Sequence, residues 1–359
     1  MFSHVPTGVG AHRGDLRLGT AELRAVLQQG AAWAVNRGFG RTRDLAHIEE
    51  GGSLDGADAG LVSDRALERG AAQLGTLGSG NHFAEIQYVS DIYDEPVAQA
   101  FGLFRDQVTV MIHSGSRGLG HQVCDDHLRT MMRATANHRI DVPDRQLCCA
   151  PIRSPEGEAY LGAMAAAANF AFANRQVMSH WVRESFAAAL GLPVDRTGLD
   201  VVYDVCHNIA KFETLPVEGA LRRVCVHRKG ATRAYPPGHP ATPEAYRQVG
   251  QPVLIPGDMG RYSYVLVGTE RAFAESFGST CHGAGRRMSR SEAKRSVRGR
   301  ALVDELRSRG VHVMAAGMAT IAEEMPEAYK DVADVVNVVH GAGLSTKVAR
   351  LRPMGVIKG

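Results

Sequence analysis

Hydrophobic residues recur along the chain at spacings that predict both helices and strands. Between residues 20 and 36 they fall three or four positions apart and are followed by Gly38, which predicts one amphipathic helix. Ser63 is placed to cap a second helix that ends at 70–75. A long third helix is predicted over 158–190. Its alanine-rich part, 159–173, is too short to cross a bilayer, so we expect a buried helix.

Short runs of apolar and β-branched residues predict strands between the helices. One follows the glycine-rich loop GTLGSGNH at 83–89, and another, at 107–112, has the composition of a buried strand. Further strands are expected at 201–205, 224–226, 253–255 and 264–267, and the last hundred residues alternate helix and strand. The sequence has no repeat and no low-complexity linker. We therefore expect a single α/β (α+β) domain over residues 1–359, with mixed sheets.

Composition narrows the function classes only slightly. Hydrophobic residues make up 44% of the chain and charged residues 22%, as in ordinary globular proteins. A net charge of +3 indicates neither a nucleic-acid partner nor its absence, so an RNA surface would have to come from local clustering. The six cysteines contain no CxxC pair, and the first residues lack the apolar core of a secretory signal. A reducing cytoplasm is the expected location.

Three histidines stand where predicted loops and strands meet. His82 ends the glycine-rich loop, while His113 and His207 follow predicted strands. Binding residues gather at such junctions, and imidazole binds manganese, zinc and other first-row metals. These histidines are therefore candidate metal ligands. The alternative is that each is a hydrogen-bonded histidine of the core.

A fourth histidine, His282, lies in the segment GSTCHGAGRRMSR. Neutral imidazole is a competent nucleophile toward phosphorus. Glycines let backbone N–H groups approach an oxyanion closely, and arginines supply a bidentate counter-charge. This pattern predicts a nucleophile in a phosphate-binding turn, formed with Gly283, Ala284, Gly285 and Arg286. The alternative is a loop histidine that caps a helix.

Basic residues cluster near these candidates. Four of them are spaced four apart and would share one face of a helix: Arg286, Arg290, Lys294 and Arg298. Such a face can follow an RNA backbone, or it can simply be solvated. Arg228, Lys229 and Arg233 form a second basic segment, expected to be a loop. The loop at 115–120 lacks the GxGxxG order of a dinucleotide fold, yet offers backbone donors and Arg117 to a phosphate.

Several long motifs, in order through nearly the whole chain, carry a resemblance to a known family. They are GTLGSGNHFAEIQ (75–87), MIHSGSRGLGHQV (111–123), DVCHNIAKFE (204–213), VHRKGATRAYPPGHP (226–240), HGAGRRMSR (282–290), PEAYKDV (326–332) and LRPMGVIKG (351–359). In these segments the chain resembles the RtcB family of RNA ligases, which act through a guanylylated histidine. The resemblance implies a fold with a central cleft for metal and guanylate.

The resemblance also implies ligands and roles for individual residues. His82, His113 and His207 match the histidines that bind two Mn²⁺ ions in the family, and His282 matches the nucleophile toward GTP. The implied guanylate pocket contains Asn81, Glu85, Ser263, Tyr329 and Lys358, together with Gly283, Ala284, Gly285 and Arg286. Lysine would donate to the O6 acceptor of guanine, where adenine carries a donor.

The implied reaction joins two RNA ends in three steps. His282 takes GMP from GTP, and GMP passes to an RNA 3′-phosphate, which is itself formed by opening a 2′,3′-cyclic phosphate. A 5′-hydroxyl then attacks the activated end and GMP leaves. The implied partners are RNA with these ends and an archease-type activating protein. The resemblance implies no membrane partner.

Two departures from the family pattern put the activity in question. The family carries an upstream DxGCG-type segment whose Asp and Cys complete the metal site, and these 359 residues contain no such segment. Asp258 stands in PGDMG where the family has PGSMG, so a carboxylate would lie near the GMP phosphate and either repel it or recruit a metal. The alternatives are a ligase that is truncated relative to the family, a paralogue that binds RNA ends or guanylate, and a metal-dependent RNA-end phosphodiesterase.

Overall fold

The computed structural model describes residues 1–297 and 299–359 and contains helices and strands throughout. The helices are α1 Thr20–Gln29, α2 Ala31–Asn36, α3 Asp64–Gly70, α4 Glu95–Ala100, α5 Arg117–Asn137, α6 Pro155–Leu190, α7 Glu270–Glu275, α8 Arg290–Ser296, α9 Gly299–Ser308, α10 Met318–Glu323 and α11 Val332–Gly341. The strands are β1 Phe83–Ile92, β2 Val108–His113, β3 Asn208–Val217, β4 Ala220–Lys229, β5 Ala231–Arg233, β6 Pro252–Ile255, β7 Ser263–Gly268, β8 Ser279–Cys281, β9 His312–Ala315 and β10 Ser345–Lys358.

One large mixed sheet organises the described part of the chain. Its strand order is β2-β1-β10-β7-β6, with antiparallel neighbours, and β9 pairs in parallel with the end of β10. β3 and β4 form a separate antiparallel pair, as do β5 and β8. The mixed sheets and surrounding helices confirm the predicted α/β class.

The register of this sheet aligns residues that are far apart in the sequence. Phe83, the first residue of β1, lies opposite His113 on one side and Lys358 on the other. The end of β2, the start of β1 and the end of β10 therefore meet in one row across the sheet. This row places a candidate metal ligand and the penultimate lysine at the same edge of the fold.

The long helix α6 is buried, as its composition predicts. It packs against α1, α2 and α5 around a core that contains Phe170 and Val177. Two buried amides on α6 satisfy neighbouring loops: Asn169 accepts from the Leu54 N–H at 2.7 Å, and Asn174 accepts from the Thr76 N–H at 3.1 Å. Among the described residues, no helix combines the length and the apolarity that a membrane crossing requires.

The single helix predicted over 20–36 is wrong, because the chain breaks at Gly30. There φ is 56° and ψ is −134°, and α1 ends one residue earlier. A side chain at this position would also collide with the carbonyl oxygen of Gly52. The local pattern continues across the break, whereas the close approach of a distant loop requires glycine there. Ser63 does cap α3, by accepting from the Ala66 N–H.

Two strand predictions also need correction. The segment 201–205 is not a strand; its regular pairing is a single bridge between Asp204 and Ile48. The strand predicted at 107–112 exists as β2, but it lies at the sheet edge and is not buried. Val108 is 46% exposed and the rest of β2 is only half-buried.

Candidate active site

Four histidines converge at the edge of the sheet. The Nε2 atoms of His113 and His207 are 3.4 Å apart. The rings of His207 and His282 are stacked with centroids 4.2 Å apart, and the centroid of His82 lies 5.8 Å from that of His113. His113 ends β2, whereas His82 and His207 directly precede β1 and β3. The prediction that His207 follows a strand is therefore wrong, although its prediction as a member of the cluster stands.

The three candidate ligands are held as neutral imidazoles. Burial lowers the pKa of His82 to about 4, with help from the nearby Arg117. Burial and the neighbouring His282 lower the pKa of His207 to about 3. The pKa of His113 is well below its usual value, first because of burial and then because of His207. Neutral imidazole is the protonation state that binds metals.

The His113–His207 pair fits a shared metal ion. Two nitrogens bound at about 2.1 Å with a tetrahedral angle between them lie about 3.4 Å apart, which matches the Nε2 separation. The buried Nδ1 of His82 has no hydrogen-bond partner in the described part of the chain. Within that part, however, no three His, Cys, Asp or Glu side chains form a ready-made cage. The donors present suit a first-row metal through imidazole, without a charged ligand.

A half-buried ion pair supports the loops that carry these histidines. The Nε atom of Arg175 donates to both carboxylate oxygens of Asp204, at 2.7 and 2.9 Å, and Nη1 donates to the Ser114 carbonyl at 3.2 Å. Arg175 therefore links the segment before His207 to the residue after His113. Sequence analysis missed this arginine; its signal is a charged residue two positions after the alanine-rich part of α6, 159–173.

His282 follows β8 and lies against the turn at Gly230. A Cβ atom on Gly230, whose φ is 68°, would be 3.6 Å from the His282 ring. The Gly230 N–H donates to the His207 carbonyl at 3.0 Å and to Asn208 Oδ1 at 3.2 Å. Burial, followed by the charge of Lys229, lowers the pKa of His282. Its ring is thus neutral, as a nucleophile requires.

A cleft of about 190 Å³ opens beside His282 and gathers most of the predicted guanylate residues. Its lining includes Asn81, Glu85, Asp258, Gly283, Ala284, Gly285, Arg286, Tyr329 and Lys358. A second cavity, of about 240 Å³, reaches His207 along β2. His113 and His282 border both cavities. The nucleophile candidate therefore stands between a pocket and the histidine pair.

Lys358 is buried at the floor of this cleft rather than frayed in solvent. Its Nζ is 3.4 Å from the Gly80 carbonyl oxygen and 3.9 Å from Glu324 Oε2. Burial lowers the pKa of Lys358, while Glu324, Glu85 and Asp258 act in the opposite direction. With one long hydrogen bond, this ammonium group retains donors for a ligand in the cleft.

Glu324 also lines this cleft and contacts two of its other residues. Sequence analysis missed it. Its fully buried carboxylate accepts from the Tyr329 hydroxyl and pairs with Arg286 Nη1 at 3.1 Å. The guanidinium carbon of Arg286 lies 4.9 Å from the Tyr329 ring centroid. The available signal was its position five residues before Tyr329, just outside the PEAYKDV motif.

Glu85 and Ser263 are buried and joined through Gln87. The Nε2 of Gln87 donates to Glu85 Oε1 at 2.5 Å and to Ser263 Oγ at 2.9 Å. Burial raises the pKa of Glu85 to about 8. Ser263 Oγ also accepts from the Gly257 N–H at 3.1 Å. Ser263 therefore lies behind the cleft wall and fixes the 257–263 turn.

Asp258 is paired within the protein. Its Oδ2 is 2.9 Å from Arg261 Nε, and Oδ1 accepts from the Gly260 N–H at 3.0 Å. Burial raises the pKa of Asp258, against the effect of Arg261. Much of the charge that was expected to repel a phosphate is thus compensated by the neighbouring guanidinium.

The basic stripe predicted after His282 is not a free helix face. Arg286 precedes α8, and Arg298 lies outside the described residues. Arg290 and Lys294 pair with Glu323 at 2.6 and 2.7 Å. Carboxylates at the end of α10 therefore compensate the charges of Arg286, Arg290 and Lys294.

The second basic segment is also different from the predicted loop, because it spans β4 and β5. Arg228 is buried in a bidentate pair with Glu213, and Arg233 is buried and paired with Glu50. Lys229 remains exposed beside His282. Arg117 donates to Thr76 Oγ1 and to the Gly8 carbonyl, so its guanidinium holds loops together.

Comparison with known proteins gives a consistent family assignment. The family model for tRNA-splicing ligase RtcB matches residues 1–359. The tRNA-splicing ligase RtcB of Archaeoglobus fulgidus is 57% identical over the whole chain, which covers 74% of that relative. The corresponding proteins of Thermococcus kodakarensis and Methanococcus maripaludis are 55% and 52% identical over the whole chain, which covers 74% and 75% of them. The chain belongs to the RtcB family.

Proposed function

We propose that this chain is a GTP-dependent RNA ligase that works through a GMP adduct of His282. It joins RNA 3′-phosphate or 2′,3′-cyclic phosphate ends to 5′-hydroxyl ends. The observation that carries the proposal is the place of His282, a neutral imidazole between the 190 Å³ cleft and the histidine pair. Residues 1–359 act as one ligase domain in this proposal.

The proposed reaction is a sequence of three phosphoryl or nucleotidyl transfers, of which the first two take place at His282. A ring nitrogen attacks the α-phosphorus of GTP, a P–N bond forms and pyrophosphate leaves. An oxygen of the RNA 3′-phosphate then attacks the same phosphorus, which breaks the P–N bond and returns the imidazole. Finally the 5′-hydroxyl oxygen attacks the RNA phosphorus, its proton is lost and GMP leaves.

His113 and His207 are the residues that would hold Mn²⁺, with His82 as the third donor. A bound divalent ion lowers the negative charge on a phosphate and so reduces the barrier to nucleophilic attack. The protein contributes the neutral imidazoles and the Arg175–Asp204 pair that fixes their loops. Gly283, Ala284 and Gly285 offer backbone N–H groups to the phosphates of the nucleotide.

Asn81, Glu85, Tyr329 and Lys358 are proposed to bind the guanylate, with Arg286 beside them. Asp258 and Ser263 are assigned a supporting part, since Asp258 pairs with Arg261 and Ser263 holds the turn. The cytoplasm is the proposed location, in agreement with the free thiols of all six cysteines. An archease-type activator is proposed from the family resemblance alone.

A ligation assay tests the function directly. Two labelled RNAs, one with a 2′,3′-cyclic phosphate and one with a 5′-hydroxyl, are incubated with the protein, Mn²⁺ and GTP. The expected product is a joined strand that requires GTP. Opening of the cyclic phosphate without joining, and without need for GTP, would instead establish a metal-dependent phosphodiesterase. RNA binding with neither reaction would establish a binding paralogue.

Replacing Lys358 by methionine is expected to weaken the preference for GTP over ATP. The buried ammonium lines the cleft and has one long hydrogen bond, to the Gly80 carbonyl oxygen, whereas methionine has a similar length and no donor. A hydrogen bond from a charged group contributes about 1.5–3 kcal/mol, so we expect a loss of about 10- to 100-fold in the GTP/ATP ratio. Protein–nucleotide adduct formation with each labelled nucleotide measures it.

Lys347→Met is the matched control, because Lys347 lies on the same strand but pairs with Asn337 at the surface. Its GTP/ATP ratio should equal that of the wild type. An unchanged ratio in Lys358→Met would show that another group reads the base.

A further inference from the structure

The outer face of the β3–β4 ribbon begins next to His282 and extends away from it. No residue of this face lines the nucleotide cleft. The register places Asn208 beside Lys229, Ala210 beside His227, Phe212 beside Cys225, Thr214 beside Arg223, and Pro216 beside Leu221. Residues that are paired across two strands point to the same side. These ten residues form the outer face of the ribbon.

The opposite side of the ribbon is packed against the protein. Leu215 and Val226 join a buried cluster with Tyr235, and Glu213 forms its buried pair with Arg228. Lys211 donates to Glu49 at 2.7 Å. Apolar and charged contacts therefore hold the inner side against the protein, and they fix the orientation of the outer face.

The outer face combines cations with an exposed aromatic ring. It carries Lys229, His227 and Arg223 and contains no acidic residue. Phe212 is 44% exposed, and the Arg223 guanidinium carbon lies 4.7 Å from its ring centroid. Within the described ranges, neither Lys229 nor Arg223 pairs with a carboxylate. Ala210, in the middle of the face, is buried, but Phe212, Arg223, His227 and Lys229 are exposed, and exposed cations in a row are complementary to a polyanion.

One end of the ribbon lies next to His282, the proposed nucleophile. Lys229 precedes Gly230, whose N–H donates to the His207 carbonyl and whose Cα faces the His282 ring. From Lys229 to Arg223 the strand covers about 20 Å at 3.3 Å per residue. That length accommodates several nucleotides of a single strand. Proteins bind such strands with a basic track and with aromatic rings on which bases stack.

We propose that the outer face of the ribbon binds single-stranded RNA next to the end that reacts at His282. The ring of Phe212, which Arg223 contacts, provides a surface on which a base can stack. The side chains of Lys229, His227 and Arg223 contact the phosphates. The inference rests on the proposed function, since it names the surface that holds the substrate of that reaction.

Equilibrium binding of short fluorescent single-stranded RNAs tests this surface. One probe ends in a 3′-phosphate and the other in a 5′-hydroxyl. Phe212→Ala and Arg223→Ala are each expected to weaken binding of at least one probe by about tenfold. Arg223→Ala should also lower the slope of log affinity against log salt by about 0.7, the share of one phosphate contact on a single strand.

Two further variants separate a local contact from a folding defect. Phe212→Trp keeps a stacking ring, so its affinity should stay close to that of the wild type. Arg222→Ala is the matched control, because Arg222 lies on β4 one residue from Arg223 but points to the other side, near Glu218. Its affinity and salt slope should not change.

The outcomes distinguish the ribbon from the proposed function. Unchanged affinity of both probes in Phe212→Ala and Arg223→Ala overturns the RNA surface, even when the wild type ligates RNA, and leaves the face to a protein partner. Weakened binding in these variants supports the surface. If the wild type then forms no GMP adduct, the ligase proposal fails while the RNA surface stands.

Discussion

The His282→Ala variant is expected to form no covalent adduct with GMP. Alanine has no nitrogen to attack the α-phosphorus, and the loss of a nucleophile costs about ten-thousand-fold or more in rate. The prediction rests on the position of the wild-type ring, which borders the cleft, is stacked on His207 and has a pKa lowered by burial and by Lys229. The measurement is retention of label from α-labelled GTP after denaturing electrophoresis.

His121→Ala is the control for this experiment. His121 is exposed on α5 beside Asp125, away from both cavities, so its label should match that of the wild type. The bond type is a second check, because a P–N bond to histidine is labile to acid and stable to base. Label of undiminished intensity in His282→Ala would assign the adduct to another residue.

The sequence motifs name the residues that line the candidate site, but they do not predict how those residues are arranged. Resemblance in the short motifs identifies His82, His113, His207 and His282 by their sequence context. Nothing in local periodicity, however, indicates that β10 lies beside β1 in the middle of the sheet. That pairing is long-range, and it is what brings Lys358 opposite Phe83. A penultimate lysine judged by its position alone would be a solvated charge.

The errors in the predicted elements share a physical cause, namely contacts with distant segments. Gly30 interrupts a continuous helical pattern because the backbone at Gly52 approaches it. The β-branched run at 201–205 fails to form a strand where Asp204 is held by Arg175 and its backbone bridges to Ile48. Tertiary contacts of this kind override local propensity.

Electrostatic predictions failed for the same reason. Arg290 and Lys294 look like a free basic face until Glu323, from α10, is placed against them. Arg228 and Arg233 similarly pair with Glu213 and Glu50. A sequence shows the positive charges but not their partners. Lys229 and Arg223, which have no carboxylate partner in the described structure, lie on the outer face of the ribbon, which sequence analysis did not single out as a unit.

Replacing either His113 or His207 by alanine is expected to lower Mn²⁺ affinity by more than about 10- to 100-fold. Loss of a residue that only hydrogen-bonds to a metal ligand already lowers metal affinity by about 10- to 100-fold. The spacing of the two Nε2 atoms fits direct binding of one ion, so loss of either histidine should cost more. The free-Mn²⁺ signal in electron paramagnetic resonance, titrated with protein, measures the affinity without reference to ligation. His12→Ala, an exposed position bonded to the Gly10 carbonyl, is the control and should bind as the wild type does.

The double variant gives the sharper result. If His113 and His207 share an ion, either substitution destroys the site, so the double variant should lose little more than each single one. Losses that add in the double variant would assign the two histidines to separate ions, and unchanged affinity in all three would make them core histidines. Proton competition is a further check. Because the pKa of His207 is about 3 and that of His82 about 4, Mn²⁺ affinity should stay flat between about pH 6 and pH 8. A fall in affinity near the ordinary histidine pKa of about 6.5 would mean that the ligands are solvated imidazoles instead of this buried set.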